Sequence, residues 1–390
     1  MDTTSILIPV VILLLVILLL WRLRNAGQEK DYSNTLLKVR KKRQGSIYST
    51  PKSPKIAIES SKNDVVEESS EATSLSPPPE LAEIQLIDYE AFVKEHKASN
   101  EFKRLRKPHP LLMSLSRSIT DAQELINIVK SDPELVAMVL NMANSPFFGL
   151  RKAITDINHA VVYLGIAQVK NLATQFAISQ SFEFESEKQK AAYEKIWKTS
   201  FLASAMALLI AREANLETPS ELSTRCLLSY LGDITLLSMD AKAANFYIDR
   251  MPMYMRVRGM QSLFKSNAAV MGGLFAQHLK LPKELHTGIG MSYQPLTNDW
   301  DRTYLTDEEI QDTLFCYSIC RAAEYYILEQ DDVYSKDPNF SYKKSAKPEF
   351  YHLEQQLEQH GLSHLNKVIS AAGTKMKLSH MFASLKEKMK

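Results

Sequence analysis

Apolar positions recur at helical spacing through most of the chain after residue 81. Ala122, Leu125, Ile126 and Val129 form an i, i+3, i+4, i+7 set, which predicts an amphipathic helix. Asp132-Pro133 then restarts the chain, with Asp132 as N-cap and Pro133 at the first helical position. The helix that follows carries Leu135, Val136, Met138, Val139, Leu140, Met142 and Ala143, too broad an apolar surface for one face, and so is expected to be buried on most sides. Pro146 disfavours helical geometry at Ser145 and ends it. A further start at Thr155 or Asp156 opens two helices, with Gly165 as the break or C-cap between them. Glu194–Leu216 and Arg225–Met239 read as two more helical segments. No run alternates with period two for long, so residues 108–296 are expected to form a bundle of short, mutually burying helices.

Beyond the bundle, Asp307–Gln330 places Ile310, Leu314, Tyr317 and Cys320 or Arg321 on one stripe, the pattern of a long amphipathic helix. Shorter helical patterns fill the remainder to residue 390. These C-terminal helices either complete the bundle or form a docking surface, and the pattern does not separate the two. Composition supports an all-α fold, since Gly numbers only 12 and Pro 16 in 390 residues.

The N-terminus is different in kind. Ile6 to Trp21 carries no charge and has Pro9 only in its first turn, as expected of a single transmembrane helix at the short end of bilayer-spanning length. A cleavable signal peptide competes, but Asp2 stands where a basic n-region is needed and Trp-Arg-Leu-Arg follows the apolar run. Arg22, Arg24, Lys38, Arg40, Lys41, Lys42 and Arg43 then place the rest of the chain on the cytoplasmic side. The cluster from Lys38 to Arg43 suits anionic lipid headgroups better than nucleic acid, because no aromatic platform is interleaved with it. Gln44–Glu80, rich in Ser, Pro, Lys and Glu, is expected to be a disordered tether. The expected organisation is an anchor at 1–24, a basic juxtamembrane segment and linker at 25–80, a helical lead-in at 81–107, the bundle at 108–296 and a helical extension at 297–390.

The stretch DPELVAMVLNMANSPFFGLRKAITDINHAVVYLGIAQVKNLA resembles the HDOD family, the HD-related output domain. Asp132, Pro133, Leu140, Asn144, Ser145, Phe148, Gly149, Ala160, Leu164 and Gly165 carry the match, in the family's order and close to its spacing. The resemblance implies a compact all-α domain related to metal-dependent HD phosphohydrolases, used mostly in bacterial signalling and generally regulatory. With the anchor, it implies a protein of the bacterial inner membrane that works on a signalling protein partner or a small ligand.

An HD hydrolase needs histidines and aspartates converging on metal ions that generate hydroxide and neutralise phosphate oxygens. Against that pattern, Gly232 stands where the His of the His-Asp pair belongs, leaving Asp233 alone. Thr199 replaces the His of the Trp-x-His-Ser step, and Ser292 and Tyr293 occupy the place of a downstream His pair. The expectation is therefore a catalytically silent domain with no catalytic, metal-binding or cofactor-binding residue and no cofactor. A divergent phosphohydrolase acting on a nucleotide or cyclic dinucleotide is the alternative, and a passive membrane scaffold a third reading.

Other chemistry is weak. His278 and His286 are separated by Pro282, which argues for two helices. His360 and His364 have zinc-pair spacing without an acidic partner. Three cysteines, Cys226, Cys316 and Cys320, are too few for a disulfide framework; the last two would share a helix face as buried hydrophobes or as a metal or redox pair. Asn144 and Ser145 could bind a ligand, but capping and local backbone bonding make a structural corner the better reading.

Overall fold

The computed structural model describes residues 77–388, apart from 97–101, 103–108, 116–118, 149, 151, 249, 301–304, 331–341 and 343–346. The anchor expected at 1–24, the basic cluster and nearly all of the linker lie outside the described residues. Among the described residues no helix is long and apolar enough to cross a membrane, and there is no strand.

The lead-in contributes α1 (Pro79–Ala82) and α2 (Tyr89–His96), and α3 (Leu111–Leu115) follows. Helix α4 (Ala122–Lys130) begins where the Asp121 side chain accepts from the Gln123 amide, and it buries Leu125, Ile126 and Val129 as the spacing predicts. Helix α5 (Pro133–Ala143) starts with Asp132 accepting from the Glu134 and Leu135 amides. It is not buried on most sides: Leu135, Val139, Met142 and Ala143 face the core, while Val136, Met138 and Leu140 are only half-buried. The reason is position, since α5 packs on α4 and the two helices after it from one side.

At the end of α5 the Asn144 side chain grips the returning chain. Its Nδ2 donates to the carbonyls of Ile154 at 2.7 Å and Leu140 at 2.8 Å, and its Oδ1 accepts from the Ile154 amide at 2.7 Å. Phe147 and Phe148 follow in a 3-10 turn, and Phe147 packs edge-on against Phe201 at 5.2 Å. Helix α6 (Ile157–Leu164) is capped by Asp156, and α7 (Ile166–Ser179) follows after Gly165, whose φ of 83° is open to glycine and strained for other residues.

Helix α8 (Glu187–Glu213) opens with a Ser186–Gln189 capping box and runs through the centre of the molecule. The segment Arg225–Met239 is two helices, α9 (Pro219–Leu228) and α10 (Leu231–Met239), broken at Ser229-Tyr230. The break sends the Tyr230 hydroxyl to the Cys320 carbonyl at 3.2 Å. Helices α11 (Asn245–Ile248), α12 (Met253–Phe264), α13 (Ala268–His278) and α14 (Lys283–Gly290) complete this half. Asn171 of α7 ties the centre together by donating to Ser204 of α8 at 2.8 Å and Ser223 of α9 at 2.9 Å.

Helix α15 (Asp307–Ile327) departs most from expectation. It is enclosed on nearly every side, with buried residues running almost without interruption from Ile310 to Ile327 rather than along one stripe. It packs on α8, α9 and α14, and α16 (Leu353–Gln359), α17 (His364–Ser370) and α18 (Ala372–Lys388) close over it and α8. Phe382 of α18 stacks on Tyr326 at 4.3 Å. One hydrophobic cluster runs from Leu81 to Phe382, so the C-terminal helices complete the bundle.

The Asn144 clamp predicts a stability effect that a simple cap would not. Asn144→Ala removes three bonds and is expected to cost about 2 kcal/mol in chemical denaturation. Asn144→Asp keeps an acceptor for the Ile154 amide but no donor for the two carbonyls, so it should fail to restore wild-type stability.

Candidate functional site

Three of the positions that the sequence sets against HD-hydrolase ligands share one place in the fold. Asp233 of α10 and Ser292 and Tyr293, just after α14, line one small cavity of about 10 Å³, room for about one water molecule. Thr199 takes another course. It is fully buried, and its hydroxyl donates to the Lys195 carbonyl of its own helix at 2.7 Å.

Charge around Asp233 comes from elements that the motif reading did not include. Arg321 and Glu324, one turn apart in α15, pair through two bonds of 2.6 Å each. Arg256 of α12 donates to the same Glu324 carboxylate. All three side chains are buried, as is Asp233. The Tyr247 hydroxyl donates to Asp233 Oδ1 at 2.5 Å. Burial pushes the Asp233 carboxyl up to about 6, the Tyr247 bond pulls it down, Glu324 pushes it up and the two guanidinium groups hold it down. Arg321 also lies over the rings of Tyr317 at 5.3 Å and Tyr293 at 5.8 Å.

These residues do not fit a divalent cation. Glu324 is paired with two guanidinium groups, Asp233 is bonded to the Tyr247 hydroxyl, and Tyr293 packs against Arg321 where a histidine pair would be needed. Gly232 leaves no room for an imidazole. A Cβ at that position would stand 1.7 Å from the Ala268 carbonyl oxygen and 2.6 Å from the Gly272 amide nitrogen, because α10 and α13 pack backbone to backbone here. Among the described residues no group of three or more His, Cys, Asp or Glu is placed to hold a metal ion.

The family-signature residues lie elsewhere. Asp132 and Pro133 start α5, Leu140 is half-buried on it, and Asn144 and Ser145 form the corner, with Ser145 buried against Met142. Phe148 accepts a hydrogen bond from the Tyr163 hydroxyl at its carbonyl, 2.7 Å away. Ala160 is fully buried, Leu164 half-buried, and Gly165 breaks α6 from α7; Gly149 lies outside the described residues. Their common role is the corner and its packing.

His278 ends α13 and His286 lies in α14, as Pro282 implied. His360 follows α16 and His364 starts α17, so they do not share a helix. Cys316 and Cys320 do share a face, and it meets Cys226: the Cys316 thiol points to the Leu222 carbonyl and the Cys320 thiol to that of Cys226. Burial pushes the Cys226 thiol well above its ordinary value, which suits a core residue rather than a thiolate ligand. Sequence reasoning missed Arg256, Glu324 and Tyr247, and gave Arg321 a place on a helix stripe without a partner. The available signal was an Arg and a Glu three apart in the middle of an otherwise apolar helix.

Residues 109–295 match the family model of the HDOD domain. No curated protein matches the chain. Among solved structures, the chain is similar to an HDOD domain protein of unknown function from Geobacter sulfurreducens, with a TM-score of 0.55 and 16% identity over 77% of this chain and 99% of that one. It is also similar to a candidate signal transduction protein from Marinobacter aquaeolei VT8, with a TM-score of 0.50 and 15% identity over 78% of this chain and 68% of that one. At these identities the likeness concerns the fold.

Two outcomes test the site. An unfolded Asp loses its proton near about pH 3.9, whereas native Asp233 keeps its proton up to about 6. Between those values the native state binds more protons, so this residue's contribution to stability is present at low pH and lost as pH rises through 6. Asp233→Asn should therefore flatten the stability profile across that window by about 3 kcal/mol relative to wild type; parallel profiles would show that Asp233 does not titrate there. Separately, Gly232→Ala should lower stability by about 3 kcal/mol or more through overpacking, read by thermal unfolding.

Proposed function

We propose that this chain, with an HDOD domain across residues 109–295, is a membrane-anchored regulatory protein whose domain binds a partner and performs no phosphoester hydrolysis. The observation that carries the silent reading is the exchange of charge at Asp233. Where a hydrolase would hold a metal to activate water and neutralise phosphate, Arg256 and Arg321 supply the positive charge and Glu324 consumes it internally. A cavity of about 10 Å³ admits no nucleotide, and the glycine at 232 is held by packing rather than free to be a ligand.

Anchoring rests on the sequence. Ile6–Trp21 is the uncharged run, Arg22 and Arg24 flank it, and Lys38, Arg40, Lys41, Lys42 and Arg43 would lie on anionic headgroups of the cytoplasmic leaflet. On this reading the bacterial inner membrane holds the protein and the helical domain acts in the cytoplasm on a signalling partner.

A second reading, a divergent hydrolase using Asp233 as an acid, draws on the retained carboxyl and its raised pKa. Elemental analysis of the purified chain, with a phosphodiesterase assay in added manganese, separates the two. Substoichiometric metal and no turnover are expected; near-stoichiometric metal with turnover abolished by Asp233→Ala would establish the hydrolase instead. For the anchor, carbonate extraction of membranes should leave the full chain in the pellet and release a chain lacking residues 6–21.

A further inference from the structure

Three depressions run into one another along helix α9. One, of about 650 Å³, lies between α7, α9, α14 and α15, and a second, of about 420 Å³, continues from it through the shared residues Leu222 and Asp312. A leucine-lined recess of about 40 Å³ opens from the first through Lys170, Thr224 and Leu285. In the larger depression the half-buried Ile166 and Leu285 present apolar surface beside the buried Ile119 and Leu222, and the second is backed by the buried Phe315 and Leu362.

The rim is acidic. Glu217, Glu221, Glu284, Glu308 and Asp312 border the groove, against Lys170 and Arg225. Neither cation offsets the rim outward. Arg225 is buried, 3.5 Å from Asp312, and donates to Thr313 at 2.5 Å; Lys170 is half-buried and faces Glu221. Glu221, Glu284 and Glu308 each stand in the first turn of a helix, where a carboxylate is favoured by the helix dipole. That accounts for each one alone. It does not account for the convergence of three such turns on one apolar floor, with their carboxylates exposed at its edges.

Charge decides what such a groove can take. A nucleic acid or an anionic lipid surface would bring phosphates against the carboxylates and be repelled. A helix with one apolar stripe and basic flanks would lay its i, i+3/i+4, i+7 anchors along the floor and its ammonium or guanidinium groups against the rim. We propose that this groove is the docking site for a basic amphipathic helix of a partner protein, its apolar stripe on Ile166 and Leu285 and its basic flanks facing Glu217, Glu221, Glu284 and Glu308. The assignment rests on the partner-binding reading above and names the chemistry of that partner.

The test uses the full chain in nanodiscs of phosphatidylcholine, with empty nanodiscs as blank. The probe is a fluorescent Leu/Lys peptide of about 18 residues, five helical turns, with its leucines on one stripe; a scrambled peptide of the same composition has none. Anisotropy titration should show the striped peptide binding about tenfold or more tighter than the scrambled one. The reversal Glu221→Lys with Glu308→Lys should weaken it by about tenfold or more, whereas Glu185→Lys with Glu194→Lys, the same charge change at exposed sites outside the groove, should not. No binding, equal binding of the scrambled peptide, or equal loss in both double variants would overturn the assignment. The manganese phosphodiesterase assay on the same preparations keeps the two ideas apart: turnover removes the silent-domain reading, and loss of peptide binding without turnover removes only the groove.

Discussion

A carboxylate buried between two guanidinium groups organises the molecule. Glu324 is held by Arg321 on its own helix and by Arg256 on another, with the Asp233–Tyr247 pair close by. Breaking such a network on one side leaves an uncompensated charge in the interior, which costs several kcal/mol, whereas an apolar replacement of the whole set could be neutral. The ion pairs join α12 to α15, Asp233 of α10 lies against them, and the backbone contact of Gly232 with Ala268 and Gly272 sets how closely α13 approaches the same point.

Arg256 and Arg321 set positive charge against Glu324, and Asp233 lies beside them, so these polar groups are matched with one another inside the core. The acid-rimmed groove beside α9 is formed by the same packing, since α9 and α15 both border it.

Much of the fold was legible because its signals are local. The Asp132-Pro133 start, the corner at Asn144, the break at Gly165 and the two-helix reading around Pro282 each depend on a few adjacent residues and their backbone preferences. Where the pattern misled, the cause was tertiary. Helix α5 looked buried on most sides, yet neighbours cover it from one side only. Helix α15 was expected to bury one stripe, yet Ser318, Arg321 and Glu324 are buried as well, and hydrogen bonds satisfy them.

The sequence by itself determined that the described chain is helical and where several of its helices start, as at Asp121, Asp132 and Asp156. Those are properties of single residues and short spacings. Only the tertiary structure decided which charges surround Asp233, because Arg256 and Glu324 are 68 residues apart and nothing in either one's neighbourhood announces the other. It also decided that the C-terminal helices belong to the core and that three helix starts converge on one groove. Burial and long-range charge pairing arise from the assembled packing, and no period along the chain encodes them.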